Sequence, residues 1–397
     1  MKKDIVIIVL FIVLISVMTF PLVFNLTGYL PGFFSTDEAY ATIWDSWRIK
    51  YSAVHQLDFK KTDFVAYPFG LDLFGSGFMA CAYIAILYSL SLLTTPVLTF
   101  NIQIIVNLFL SLVLVYYFLR YLTRDRAASF FGAIIFGFSP YQFARVWQHI
   151  SLTYNYLIVL CCFAAILLKE KPGRKQVLLM IAAIVLTFSM DYAVAYFTLI
   201  ALLSFLCYSV IFGWKKKLGK NGALRRNDVV FLKKTGIVVI LSVVLLLPQF
   251  SPLIGKLMNR GQVSSAASAY NPYHRSLDDL FSQSARPLSY FLPSVAHPVF
   301  GKFTEQFVGG GFYGESFTEH TLYLGWVPLL LAGIAYRRWR QLRKTSVKDM
   351  PAQNIISGDT RYTFYLGFFI FLGIVAWLFS QPPWWQWGPL KRYMPSF

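Results

Sequence analysis

The sequence predicts an all-α integral membrane protein, a multi-span helical bundle of about nine crossings forming a single polytopic membrane domain over residues 1–397. Three observations carry this. Of the 397 residues, 57% are hydrophobic and 14% charged, against about 45–50% and about 25% in a soluble domain. Mean hydropathy is +0.56. The chain also divides into ten apolar runs, most of them close to the roughly 20 residues that a helix needs to cross the hydrocarbon layer. Such a composition excludes a soluble core, a disordered chain, and a collagen-like or secreted protein.

The first run, residues 5–24, follows Lys2 and Lys3 and has no small-residue cleavage site behind it. It reads as a retained span rather than a removed signal. Crossings follow at 97–119, 126–139, 152–168, 176–190, 192–213, 235–254, 321–336 and 362–380. The run at 77–95 is read as lying against the membrane. Were it to cross, the basic stretches 120–126 and 169–175 would both fall outside, against the positive-inside rule. With 77–95 at the surface, 24 of the 36 Lys and Arg but only 6 of the 18 Asp and Glu lie in inner segments. The N-terminus is then cytoplasmic and Phe397 outside. The tail from Pro382 reads as the opening of a further outer segment, so the chain reads as truncated.

This charge distribution explains the net +18 by topology and by contact with anionic lipid. No nucleic-acid partner is needed. Cys81, Cys161, Cys162 and Cys207 lie in apolar runs without metal-binding or redox spacing and read as inert thiols.

Two long outer segments remain, a first outer loop with interfacial helices at 25–96 and a second large outer loop at 255–320, and all five histidines fall on that outer side. In the first loop, Ser35 and Glu38 have capping-box spacing ahead of a helix. Asp37 lies in the same first turn. It is either a carboxylate favoured by the helix N-terminus or a general base at a membrane-surface cleft. Tyr40, Trp44, Trp47 and Tyr51 form an aromatic stripe, and Asp45, Arg48, Ser52 and His55 a neighbouring polar one, so the helix lies in the interface plane. Asp45 either pairs locally with Arg48 or is a second carboxylate poised against an apolar wall. Tyr67-Pro68-Phe69-Gly70 is a turn.

Ser139-Pro140 predicts an N-cap and first helical residue for a short helix over 141–149, with Tyr141, Arg145 and His149 on one face. Arg145 and His149 are candidates to grip a phosphate, with Arg260 and Arg286 in reserve. Asp191 interrupts two apolar runs, as a turn or as a functional acid at membrane depth. Glu319 and His320 precede the eighth span, where they could face the same cleft as Asp37. Gly309-Gly310-Gly311 is not a P-loop, since no Gly-Lys-Ser/Thr follows. No metal-ligand spacing occurs, so no metal is assigned. A divalent cation is left open as a cofactor.

The combination of a first span, a long outer loop opening on an acidic pair, surface-lying helices and a string of short spans resembles the GT-C class of integral-membrane glycosyltransferases. Asp37-Glu38-Ala39-Tyr40 resembles the Asp-Glu pair of the protein mannosyltransferase and aminoarabinose transferase branch. Phe138-Ser139-Pro140-Tyr141, Arg145, Gln148-His149, Trp44-Asp45-Ser46-Trp47 and Tyr67-Pro68-Phe69-Gly70 resemble bacterial membrane proteins grouped near the YfhO-like proteins. The resemblance implies a GT-C-like fold in a bacterial or archaeal plasma membrane, with an extracytoplasmic active face. It implies inverting transfer of a sugar from a polyprenyl-phosphate carrier to a lipid, glycan or protein acceptor. It also implies a catalytic acid soon after the first span, for which Asp37 is the matching position and Asp45 the alternative. Two other readings compete. A transporter or flippase of lipid-linked sugars predicts ionisable groups at the midplane and repeated halves. A non-catalytic envelope-assembly scaffold would tolerate loss of both carboxylates.

Overall fold

The computed structural model describes residues 2–32, 37–65, 67–68, 70–72, 80–146, 149–215, 226–258, 276–308, 313–314, 321–348, 358–382, 384–387 and 390–393. Among them the chain is predominantly helical. The helices are α1 (Lys2–Met18), α2 (Asp37–Val54), α3 (Cys81–Leu93), α4 (Pro96–Thr123), α5 (Arg126–Gly137), α6 (Pro140–Val146), α7 (Tyr156–Glu170), α8 (Arg174–Met190), α9 (Tyr192–Lys215), α10 (Arg226–Met258), α11 (Leu277–Gln283), α12 (Gly301–Glu305), α13 (Trp326–Lys348) and α14 (Gly358–Phe379). Two short antiparallel pairs complete the elements: β1 (Lys61–Thr62) with β2 (Leu71–Asp72), and β3 (Trp384–Trp387) with β4 (Leu390–Tyr393). The composition of the chain gave no sign of either pair.

Among the described residues, five stretches are long and apolar enough to cross a membrane: Pro96–Thr123, Ile150–Glu170, Tyr192–Ile211, Asp228–Ser251 and Arg361–Phe379. The second begins as a 3-10 turn, Ile150–Asn155, that runs into α7. Helices α1, α5, α8 and α13 also occupy expected spans. The 12 residues of α5, however, rise only about 18 Å, well short of the roughly 30 Å hydrocarbon layer. The 13 residues of α3 rise about 20 Å and fall short in the same way.

Local sequence sets the helix ends. Thr95 caps α4, its hydroxyl accepting from Leu98 N at 3.3 Å, with Pro96 in the first turn. Arg124 closes α4 in the left-handed region at φ +60°. Asp125 accepts from Ala128 N at 2.7 Å and opens α5. Ser139 accepts from Gln142 N at 3.4 Å at the start of α6, as the Ser-Pro pair predicts. Ser276 and Asp279 form a reciprocal capping box on α11.

The chain forms two compact units. The first takes residues 1–137, 145–203 and 210–271 and is organised around α4, which packs on α1, α2, α3, α5 and α7. Phe100, Ile104, Leu108, Leu112 and Tyr116 of α4 are fully enclosed. In lipid the association of helices rests on close packing and interhelical hydrogen bonds rather than on apolar burial, and both are present. Gly137 of α5 packs closely on α4, where a Cβ would meet Leu112 Cδ2 at 2.7 Å and the leucine side chain would have to shift. One turn further along α4, Tyr116 donates to Asp4 Oδ1 at 2.7 Å and Arg126 Nε donates to the same oxygen at 3.1 Å. These bonds hold Asp4 well below the usual carboxylate range. Lys169 and Asp228 pair at 3.3 Å between α7 and α10.

The second unit takes residues 138–144, 204–209 and 272–397. Trp339 of α13 donates its indole N–H to Thr363 O of α14 at 3.1 Å. Tyr208 lies among Phe364, Phe368 and Phe371 at ring distances of 5.2, 6.0 and 5.8 Å. The segment from α11 onward is tied to the end of α14, with Ala285 N donating to Ser380 O at 2.9 Å and the Tyr290 and Ser380 hydroxyls bonded.

Candidate functional site

Helix α2 faces the opposite way from a water-soluble amphipathic helix. Its small and polar face is turned inward, where Ala39, Thr42, Ser46, Ile49 and Ser52 are buried, packed on α3 and α4. Tyr40 and Trp47 are 53% and 41% exposed. Small residues at the contact with hydroxyls bonding across it suit a membrane setting. The Ser46 and Ser91 hydroxyls bond at 2.8 Å, and Lys50 Nζ donates to the carbonyl of Thr94, just past α3, at 3.1 Å. On the outward face Trp47, Tyr51 and His55 form a column, with ring centroids 5.2 and 3.9 Å apart, and Phe64 stands 5.5 Å from both Trp47 and Tyr51.

The inward face carries a charge pair. Arg48 is 3% exposed. Its Nη2 donates to Asp45 Oδ1 at 3.3 Å, its Nη1 to Phe59 O, and its guanidinium stands 5.4 Å from the Trp44 ring centroid. The buried Nε has no acceptor among the described residues. Asp45 stays half-exposed. Burial of its surroundings pushes its carboxyl above the ordinary carboxylate value, and the Arg48 charge works against that shift. An ionisable carboxylate at an apolar wall, oriented by a buried guanidinium, can hold or take up a proton nearer neutral pH than a solvated one.

Around the N-terminal half of α4 lies a set of buried amides. Asn101 donates to Leu26 O and Tyr29 O, both at 2.7 Å, while its buried Oδ1 has no donor among the described residues. Gln103 accepts from the Tyr154 hydroxyl at 3.3 Å. Asn107 donates to Thr153 Oγ1 at 2.8 Å. Tyr154 packs with Tyr156, Leu157, Met190 and Val194, and Tyr83 of α3 lies against this cluster. One end of the unit thus gathers α2, α3, the 26–29 segment, the 150–155 turn and the α8–α9 break. The three amides escaped the sequence reading, although their signal was present: polar residues at 101, 103 and 107 inside an apolar run.

The expected site residues fare differently. Asp37 and Glu38 form the first turn of α2, and their side chains lie outside the described residues, as do Ser35, Arg260, Glu319 and His320. Asp45 meets Arg48 as its i+3 spacing allows. Arg145 is only 4% exposed in the last turn of α6. Arg145 and His149 stay one turn apart, His149 N donating to Arg145 O at 3.0 Å, and His149 takes φ −130°, ψ 68° ahead of the 3-10 turn, while residues 147–148 between them lie outside the described residues. Asp191 accepts from Val194 N at 2.8 Å and so caps α9. Arg286 lies in the second unit, bound to the carbonyls of Ser284 and Phe281 at 3.1 and 2.7 Å and 4.2 Å from the Phe281 ring centroid. Among the described residues no three His, Cys, Asp or Glu gather to hold a metal.

A family model described as a domain of unknown function, DUF6311, matches residues 81–377. No curated protein and no solved structure matches the chain. The matched stretch runs from α3 into α14 and takes in Arg145, His149, Asp191, Arg260, Glu319 and His320, while α2 with Asp37 and Asp45 lies before it. It covers about three quarters of the 397 residues, and the chain belongs to the DUF6311 family.

Proposed function

We propose that the chain is a membrane glycosyltransferase of GT-C type, moving a sugar from a polyprenyl-phosphate carrier to an acceptor hydroxyl at the outer face of a plasma membrane. The observation that carries this reading is the half-exposed Asp45 carboxylate, oriented by the buried Arg48 on a helix that packs against α3 and α4. In the reaction the acceptor oxygen attacks the anomeric carbon, the carbon–oxygen bond to phosphate breaks, and the polyprenyl phosphate leaves with the electron pair. A carboxylate takes the acceptor proton. Asp45 and Asp37 are the candidates for that base, on the face opposite the leaving group as inversion requires. Arg145 and His149 are the candidates for the departing phosphate, where fixed cations act most strongly in a low-dielectric site.

The accompanying topology has nine crossings, the N-terminus inside and α2 outside. Length and composition support five of them. The remaining four rest on the distribution of Lys and Arg between the loops. The acceptor is a lipid, a glycan or a protein.

A second reading, a flippase for lipid-linked sugars, is favoured by the depth of the α4 amides. Asn107 and Ser111 are buried about 17 and 23 Å along the helix from Pro96, and polar groups at that depth mark pathways in transporters. The two readings separate in proteoliposomes loaded with a radiolabelled polyprenyl-phosphate sugar. A transferase releases the sugar from its phosphate only when acceptor is supplied. A flippase carries intact lipid-linked sugar between leaflets without an acceptor, and that result would replace the first reading.

A further inference from the structure

The second unit carries a basic, aromatic-bordered surface on α13 and α14 that neither the family description nor the proposed transfer uses. Helix α13 changes character along its length. Val327, Leu330, Leu331 and Ile334 are exposed and apolar. Tyr336 and Trp339 follow, their rings stacked with centroids 5.9 Å apart. From residue 337 to 348 the helix then holds six Lys and Arg and no Asp or Glu. This is the order in which a helix leaves a bilayer: apolar surface, aromatic girdle, then cations at the headgroup level.

The cations are not confined to one helix. The Trp339 indole donates to Thr363 O of α14 at 3.1 Å, which brings the basic turn of α13 level with the start of α14, where Arg361 lies 5.9 Å from the centroid of its own helix neighbour Tyr365. On the α13 side, Arg340 stands 6.0 Å from the Tyr336 ring centroid. Two guanidiniums, each beside an aromatic ring of its own helix, therefore lie within two residues of the Trp339–Thr363 bond that joins α13 to α14.

We infer that the α13–α14 seam, through Arg340 and Arg361 with the Tyr336–Trp339 girdle, is a binding site for the headgroup of an anionic phospholipid. The chemistry selects that occupant. Paired guanidiniums match phosphate oxygens bidentately. The apolar face of α13 continues directly from the girdle and suits acyl chains. Basic pockets between membrane helices take such headgroups. The site does not depend on the glycosyltransferase reading.

The test uses the full-length protein in nanodiscs containing either brominated phosphatidylglycerol or brominated phosphatidylcholine at equal mole fraction, comparing the wild type with Trp339→Phe to isolate the Trp339 emission. The wild type is expected to show several-fold stronger Trp339 quenching by the anionic lipid. Arg340→Gln/Arg361→Gln should lose most of that preference, whereas Arg340→Lys/Arg361→Lys, which keeps the charge without the bidentate fork, should keep part of it. The lysine pair guards against misfolding as the cause of the loss. Equal quenching by the two lipids in the wild type overturns the proposal. So does a preference abolished by millimolar inorganic phosphate, which would make this surface a site for a soluble anion. A preference unchanged in the glutamine variant would place the lipid elsewhere and overturn it as well.

Discussion

Asp45 and Arg48 differ more in environment than their helical spacing implies. The arginine is almost fully buried and the aspartate half-exposed, so the buried charge depends on a partner that still meets solvent. The carboxyl of Asp45 titrates above its ordinary value because burial outweighs the pull of Arg48. A carboxyl raised on folding favours the protonated folded state. Its contribution to stability is therefore greatest at acid pH and declines as pH rises from the ordinary carboxylate value towards the raised one. Thermal unfolding of the wild type and Asp45→Asn should show this directly: the midpoint of the wild type falls relative to the variant as pH rises through that window, and parallel curves would contradict the assignment. Asp4 has the opposite sign. Its lowered value gives a contribution that is present at neutral pH and lost on acidification below the ordinary carboxylate value, so Asp4→Asn should narrow the loss of stability in acid.

At the scale of elements, helix packing is set by a few close approaches. Gly367 of α14 lies where a Cβ would stand 2.1 Å from Tyr208 Oη, and the Tyr208 ring cannot easily yield among three phenylalanines. Gly367→Ala should lower stability by about 1–3 kcal/mol, and adding Tyr208→Phe, which removes the obstructing oxygen, should recover part of the loss in the unfolding midpoint. Helix positions were largely legible in the sequence. Thr95-Pro96 marks the start of α4, Ser139-Pro140 that of α6, and Asp191 the break between α8 and α9, each through a local backbone preference that needs no tertiary information. The inward-facing side of α2 was not legible. Its two stripes are plain in the sequence, but which one is buried depends on whether the surroundings are water or lipid, and a stripe carries no label for that. The 3-10 turn at 150–155 was not legible either, because it is held from outside by Asn107. The β3–β4 pair gave no alternation of apolar and polar residues to read.

For the molecule as a whole, composition alone separated a membrane protein from every soluble class, because an apolar excess of this size has no soluble use. The candidate site was only partly legible. Asp45 and its local pairing with Arg48 were both readable from their i+3 spacing, while the amides of α4 emerge only when α4 meets the 150–155 turn. The proposed orientation predicts that Asp58→Cys, in a background lacking the four native cysteines, reacts with a membrane-impermeant maleimide in intact cells, and that Gly173→Cys reacts only after permeabilisation. The reverse pattern would invert the topology. The central claim, sugar transfer driven by a carboxylate in the first outer loop, is tested most directly by single-turnover transfer from radiolabelled polyprenyl-phosphate sugars in nanodiscs, with the wild type beside folded Asp45→Asn and Asp37→Asn. Loss of a general base should slow the reaction by about 10²–10⁴-fold in one of the two variants. Transfer at the wild-type rate by both would contradict the account.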